Sequence, residues 1–234
     1  MAEKKKKKEM EVNPEVFLRR KLLGRKLGMT QIFQEDGVAV SVTVIEAGPC
    51  TVVQVKSDEK DGYSAVQVGF EEKTKKISKP LKGHFDKSGV NPQKKLCEFK
   101  LVSDNHDLKP GSQITVNIFD GVKKVDVSGI GKGKGFAGTI KKWHFTRGPE
   151  SHGSMNKRRP GAIGQSASPS RVFKGLHMAS HLGAKRITTR NLKLVKVDPE
   201  ENLLLIEGAV PGAVGAFVEV SASRVKQKKQ DKKA

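Results

Sequence analysis

Residues Gly129–Arg186 read GIGKGKGFAGTIKKWHFTRGPESHGSMNKRRPGAIGQSASPSRVFKGLHMASHLGAKR. These 58 residues carry 12 Lys or Arg against one acid, Glu150, and hold four of the chain's six histidines. Glycine recurs throughout, and no run keeps an apolar period of 2 or 3.6 long enough to make a buried face. Such a stretch cannot offset the entropy of its own ordering by burial. It is not a low-complexity linker either, because Phe136, Trp143, Phe145, Met155, Ile163 and Phe173 punctuate it. Positive charge, backbone able to approach closely and spaced flat side chains suit a folded polyanion with exposed bases. The stretch is read as an RNA-penetrating arm, ordered only when RNA is bound.

On either side the character changes. The chain's formal charge is +20, from 45 basic and 25 acidic residues. The arm supplies +11, residues 1–26 supply +6 (10 bases, 4 acids) and residues 224–234 supply +5 (6 bases, 1 acid). The remainder, 27–128 with 187–223, holds 17 bases and 19 acids and is nearly neutral. A neutral body with three basic appendages fits a polyanionic partner. A membrane surface would require an amphipathic helix, which the arm's glycines and prolines forbid.

That body is patterned for strands. Val38–Glu46 (VAVSVTVIE) alternates apolar and polar, and Glu35-Asp36-Gly37 before it is a turn signal. Further strands are expected at 51–56, 64–70, 96–102, 113–119, 123–128, 187–197, 202–207 and 216–221. Leu22–Phe33 (LLGRKLGMTQIF) begins ordered structure. Asp58–Gly62 is expected as a polar loop, and 71–95 as an excursion with a short helix at most. Short strands with turn residues between them predict a closed or nearly closed β-barrel, with the arm inserted between neighbouring strands.

Four organisational pieces follow: a basic N-terminal extension at 1–21, a barrel body at 22–128 and 187–223, the loop at 129–186, and a basic tail at 224–234. With both ends of the arm anchored, two extended legs of about 29 residues would place its tip at most about 95 Å away. The middle of the span is Lys157–Gly161, with Gln165 and Ser166 just beyond. The N-terminal MAEKKKKKEMEVNPEVF has no apolar core and is not read as a secretory signal. No apolar run nears the roughly 18 residues of a membrane span, so a cytoplasmic protein is expected. Cys50 and Cys97 have no metal-ligand or disulfide spacing and are read as reduced thiols in half-buried strands.

The enzyme readings are weak. GKGKG at 131–135 lacks the Ser or Thr after lysine and the following helix that a phosphate-binding P-loop needs. Its glycines and lysines suit backbone and ammonium contact with RNA phosphates instead. His177 and His181 lie four apart, but no carboxylate partner or third ligand accompanies them. No catalytic residue, metal, cofactor or small-molecule substrate is expected. Lys4–Lys8 stand open between a solvated tail and phosphate contact. Trp143-His144-Phe145 stand open between stacking on bases and a plug joining the arm's two legs. The residues expected to meet RNA are Lys132, Lys134, Lys141, Lys142, Trp143, His144, Arg147, Lys157, Arg158, Arg159, Gln165, Ser166, Arg171, Lys174, Lys185 and Arg186.

Several segments resemble one family. KLGMTQIF (26–33), DGYSAVQVGF (61–70), KKVDVSGIGKGKGFAGTIKKWHF (123–145), RRPGAIGQ (158–165) and NLLLIEGAVPGA (202–213) are similar, in order and spacing, to the bacterial ribosomal protein L3 family of the large subunit. The likeness spans roughly 22–222. It implies a translation-protein-like β-barrel whose long loop threads 23S rRNA towards the peptidyl-transferase centre. It also implies a role in early assembly, with the proteins L14 and L19 as neighbours. Three positions depart from the family pattern. Gly131 stands where Ser or Thr is usual, and Lys142 where Arg is usual. Ala167 stands where some members carry a methylated glutamine, so that modification is not expected in this chain.

Overall fold

In a computed structural model the described residues are 17, 19–102 and 108–224. The expectations for Lys4–Lys8, the N-terminal extension up to residue 16 and the tail beyond Arg224 lie outside them. The protein is mainly β. Strands β1 (Lys21–Phe33) and β2 (Ala39–Ala47) form a hairpin across the turn foreseen at 35–37. Then come β3 (Cys50–Lys56), helix α1 (Asp58–Asp61), β4 (Ala65–Glu72), α2 (Lys79–Ser88), β5 (Gln93–Lys100), β6 (Gln113–Ile114) and β7 (Lys124–Ile130). After β7 follow β8 (Phe136–Ala137), α3 (Thr139–Trp143), β9 (Ser180–His181), β10 (Arg186–Asp198), β11 (Leu203–Glu207) and β12 (Phe217–Ala222).

The strand patterns divide between two sheets instead of closing into one. The strands β1-β12-β7-β10-β11-β2 close a six-stranded antiparallel barrel, while β5-β4-β3-β6 form a separate sheet. Both edges of β2 are taken, by β1 and by β11. After the Gly48-Pro49 turn, β3 must therefore pair elsewhere, with β4 and β6. One apolar core runs through both sheets. Leu22, Ile45, Val125, Val127, Leu204, Ile206, Val218 and Val220 fill it from the barrel, and Val52, Val66, Val68 and Phe99 from the second sheet. Each fully buried aliphatic or aromatic side chain contributes roughly 1.5–3 kcal/mol.

Local departures from the expected pattern have physical causes. β1 does not alternate cleanly because its register shifts between Lys26 and Gly28, and a bulge resets which face each residue takes. Residues 113–119 pair only at Gln113–Ile114, with a 3₁₀ turn at Val116–Phe119. Ile118 and Phe119 are both buried; adjacent residues of a strand point to opposite faces, so a tight turn serves better. The loop at 58–62 closes as one helical turn, with the Gly62 N–H donating to the Asp58 carbonyl at 3.0 Å.

Three polar groups are built into the barrel. The Lys26 ammonium, buried, donates to the carbonyls of Val210 (2.8 Å) and Gly212 (3.4 Å) and so holds the turn before β12. Asp126 accepts the backbone N–H of Asn191 at 2.9 Å and pairs with Arg19. That contact pins the bulge of β10, where Asn191 has φ +58°. Glu219 on β12 lies between the Lys21 ammonium (2.8 Å) and the Arg186 guanidinium (2.6 Å). Burial alone would push the Glu219 carboxyl up, but these two cations outweigh it and hold it below its ordinary range.

A depressed folded-state pKa gives stability that is present above the unfolded value of ~4.3 and is lost as pH falls through the folded value. Glu219→Gln, which removes both ion pairs, should therefore lower stability at neutral pH by no more than about 1 kcal/mol, because Arg186 is exposed and solvent screens its pair. In thermal melts, the gap to wild type should close as the pH is lowered through the acid range.

Cys50 is fully buried rather than half-buried, and burial pushes its thiol up to about 12; Cys97, half-buried, is also raised by burial. Both are free thiols. Among the described residues no helix is long and apolar enough to cross a membrane.

The described residues divide into two compact units, one made of those up to 130 together with those from 186 onward, the other of residues 131–185. The second is the span between β7 and β10, which pair with each other from Ile130↔Arg186 onward.

Candidate nucleic-acid interface

Within residues 131–185, the two legs of chain are laced by backbone hydrogen bonds. Gly131 N–H donates to Lys185, Lys134 N–H to Leu182, and Leu182 N–H to Gly135, each at 2.9 Å. β8 and β9 pair Phe136↔His181 and Ala137↔Ser180. Gly183 is what lets the legs close. Its φ is +75°, and a Cβ there would run into the Lys132 carbonyl oxygen, so only glycine suits both demands. The GKGKG stretch is thus one side of a narrow ladder, and no helix follows it directly.

The next layer is α3, a short helix that buries Thr139 and ends at His144 in the left-handed conformation. Its Lys142 ammonium reaches the Ser180 hydroxyl and, at 3.4 Å, the His181 carbonyl. Trp143 stacks on His177 with ring centroids 3.9 Å apart and planes 6° from parallel, and its indole N–H donates to the Met178 carbonyl at 2.9 Å. Phe145 tilts against the same imidazole at 6.4 Å. Of the two meanings left open for Trp143-His144-Phe145, the plug between the legs is visible in these contacts.

Further along, the chain is not two extended legs. Gly148 N–H donates to the Lys157 carbonyl at 3.1 Å, so the first leg turns back on itself, and Arg147 pairs with Glu150 at 2.8 Å. Arg171 lies over the Phe173 ring at 5.6 Å.

Little of this unit is buried: Ala137 and Thr139 are the buried residues among those described in it. Eleven Lys or Arg stand against Glu150, a net +10. Lys132, Lys134, Lys141, Trp143, His144, Arg147, Lys157, Arg158, Arg159, Gln165, Ser166, Arg171, Lys174 and Lys185 are all exposed, and Lys142 is half-buried. Arg186, also exposed, belongs to β10 of the first unit and pairs there with Glu219. The surface is a dense array of solvated cations on a backbone scaffold with almost no core. Such an array is of a kind suited to phosphate contact, and Glu150 is its one carboxylate. Among the described residues no group of His, Cys, Asp and Glu is placed to hold a metal ion.

His177, Met178 and Ser180 were not legible as partners of α3. A glycine-flanked histidine 34 residues from the tryptophan gives no local pattern to read.

The family profile for ribosomal protein L3 matches residues 102–203. The large ribosomal subunit protein uL3 of Pseudoalteromonas translucida (strain TAC 125) is 51% identical over 199 residues, covering 84% of this chain and 94% of the relative. The chain belongs to the ribosomal protein L3 (uL3) family, structural rather than enzymatic proteins of the large subunit of the cytoplasmic ribosome.

Proposed function

We propose that this protein binds 23S rRNA directly, helps nucleate early assembly of the large subunit, and uses residues 129–186 to support rRNA near the peptidyl-transferase centre. The observation that carries this reading is the second unit itself, with a net charge of +10 exposed on a scaffold that buries almost nothing. A segment without a core gains its order from what it binds. The family resemblance is what suggests 23S rRNA as that RNA and the proteins L14 and L19 as neighbours. It also supports reading 22–128 with 187–223 as a body built around a translation-protein-like barrel, and Lys4–Lys8 and residues 224–234 as basic extensions that add looser phosphate contact, whereas Arg19 and Lys21 are engaged with Asp126 and Glu219 of the barrel.

Deleting Arg158–Gln165, all of them exposed, should leave barrel folding and initial rRNA binding intact. Ribosomes carrying the deletion should show altered peptide-bond formation or altered sensitivity to drugs that bind at that centre. Fully assembled subunits normal in both respects would reduce the segment to a surface loop.

A further inference from the structure

We propose that Phe136 and His181 together form a base-stacking platform on the second unit, and that Trp143, the more obvious aromatic, serves as an internal clamp. This rests on the rRNA-binding reading above and specifies which rings would carry the stacking.

The geometry comes from the two-residue ladder. Phe136 and His181 are directly opposed in antiparallel register, as are Ala137 and Ser180. Successive residues of a strand point to opposite faces, and directly opposed residues share one. The Ala137–Ser180 face turns inward, since Ala137 is 3% exposed and Ser180 takes the Lys142 ammonium of α3. The Phe136–His181 face must then turn outward. Phe136 is 78% exposed and His181 is exposed as well. Directly opposed residues have Cβ atoms about 4.5–5.5 Å apart, so the two flat side chains leave the ladder on the same face.

A single exposed phenylalanine would need no explanation. This ring, however, is held on hydrogen-bonded backbone, with Lys134 N–H on Leu182 and Leu182 N–H on Gly135 at 2.9 Å immediately beside it. The residue opposed to it on the same face, His181, carries a second ring, and the exposed ammonium groups of Lys132 and Lys134 precede Phe136 in the chain. Flat side chains on a fixed strand pair, with cations close by for the backbone phosphates, are what unpaired bases stack on. The other aromatic rings of the unit are more committed. Trp143 gives one face to His177 and its N–H to Met178, Phe145 is half-buried, and Phe173 has Arg171 over its ring.

The test uses the full chain and a 23S rRNA transcript, with an unrelated RNA of equal length as control. Phe136→Ala should weaken 23S rRNA binding roughly 5- to 150-fold, the range for losing one stacked base. Its salt dependence should stay unchanged, because no phosphate contact is lost. Phe136→Tyr should bind like wild type. Phe136→Leu, apolar but not flat, should be weakened as Phe136→Ala is. Wild-type affinity in Phe136→Ala or in Phe136→Leu overturns the platform. A wild-type chain with no preference for 23S rRNA over the control instead overturns the rRNA-binding reading. Phe136 is largely in solvent, so thermal melting of all three variants should match wild type.

Discussion

The affinity of the full chain for 23S rRNA should fall by roughly 10³–10⁵ between 50 and 200 mM salt. That range corresponds to 6–10 basic groups each displacing counterions from a phosphate. The second unit can supply that number. Of its eleven Lys or Arg, Arg147 holds Glu150 and Lys142 reaches Ser180, while the other nine are exposed. Replacing Lys132, Lys134, Lys157, Arg158 and Arg159 together with Ala should lower the slope of log affinity against log salt by about 4–5, at roughly 0.9 for each phosphate contact. Removing the basic extensions should lower it less. Filter binding over a salt series reads both, and a slope near zero for the wild type would mean that the charge faces something other than RNA.

The second large effect concerns barrel closure. β1 is hydrogen-bonded on one side to β12 and on the other to β2. At Gly24 the strands are so close that a Cβ would lie 2.6 Å from the Glu46 carbonyl oxygen and 2.9 Å from a methyl of Ile45. The first of these is backbone of a strand held on both edges, so it cannot swing aside as a flexible side chain would. Gly24→Ala should cost about 3 kcal/mol, at the upper end of overpacking effects. The melting temperature should then fall by roughly 6–12 °C. Gly28→Ala is the internal control. Nothing lies within 4 Å of its added Cβ, so its stability should stay within about 0.5 kcal/mol of wild type. Equal melting of the two variants would show that the strands at Gly24 can yield.

How much of this was legible beforehand depended on whether the cause was local. The alternation in VAVSVTVIE announces β2 because one face of that strand is buried, and composition alone announces the charged arm. Pairing partners are not local. Leu22 meets Val220 and Ile130 meets Arg186, and nothing near any of these residues names its partner. For the same reason the division of the strands into a barrel and a separate sheet could not be read from spacing. β1 was obscured by its bulge, and the buried pair Ile118-Phe119 turned an apparent strand into a 3₁₀ turn.

In the arm, residue types showed what could meet phosphate. They did not show which ring would be spent on the arm's own architecture. Trp143 could be read equally as a base-stacking or a joining residue until His177 was seen lying flat against it.

Excising the second unit tests its role in RNA binding most directly. Because Ile130 and Arg186 are paired neighbours of β7 and β10, residues 131–185 can be replaced by a two-residue Asn-Gly turn that joins them as an ordinary hairpin. The shortened chain should melt as the wild-type barrel does, while its affinity for 23S rRNA at 100 mM salt should drop by at least roughly 10³-fold, in line with losing most of the phosphate contacts. A shortened chain that keeps both its fold and its affinity would place RNA recognition on the barrel and contradict a role for residues 131–185 as the principal RNA-binding element.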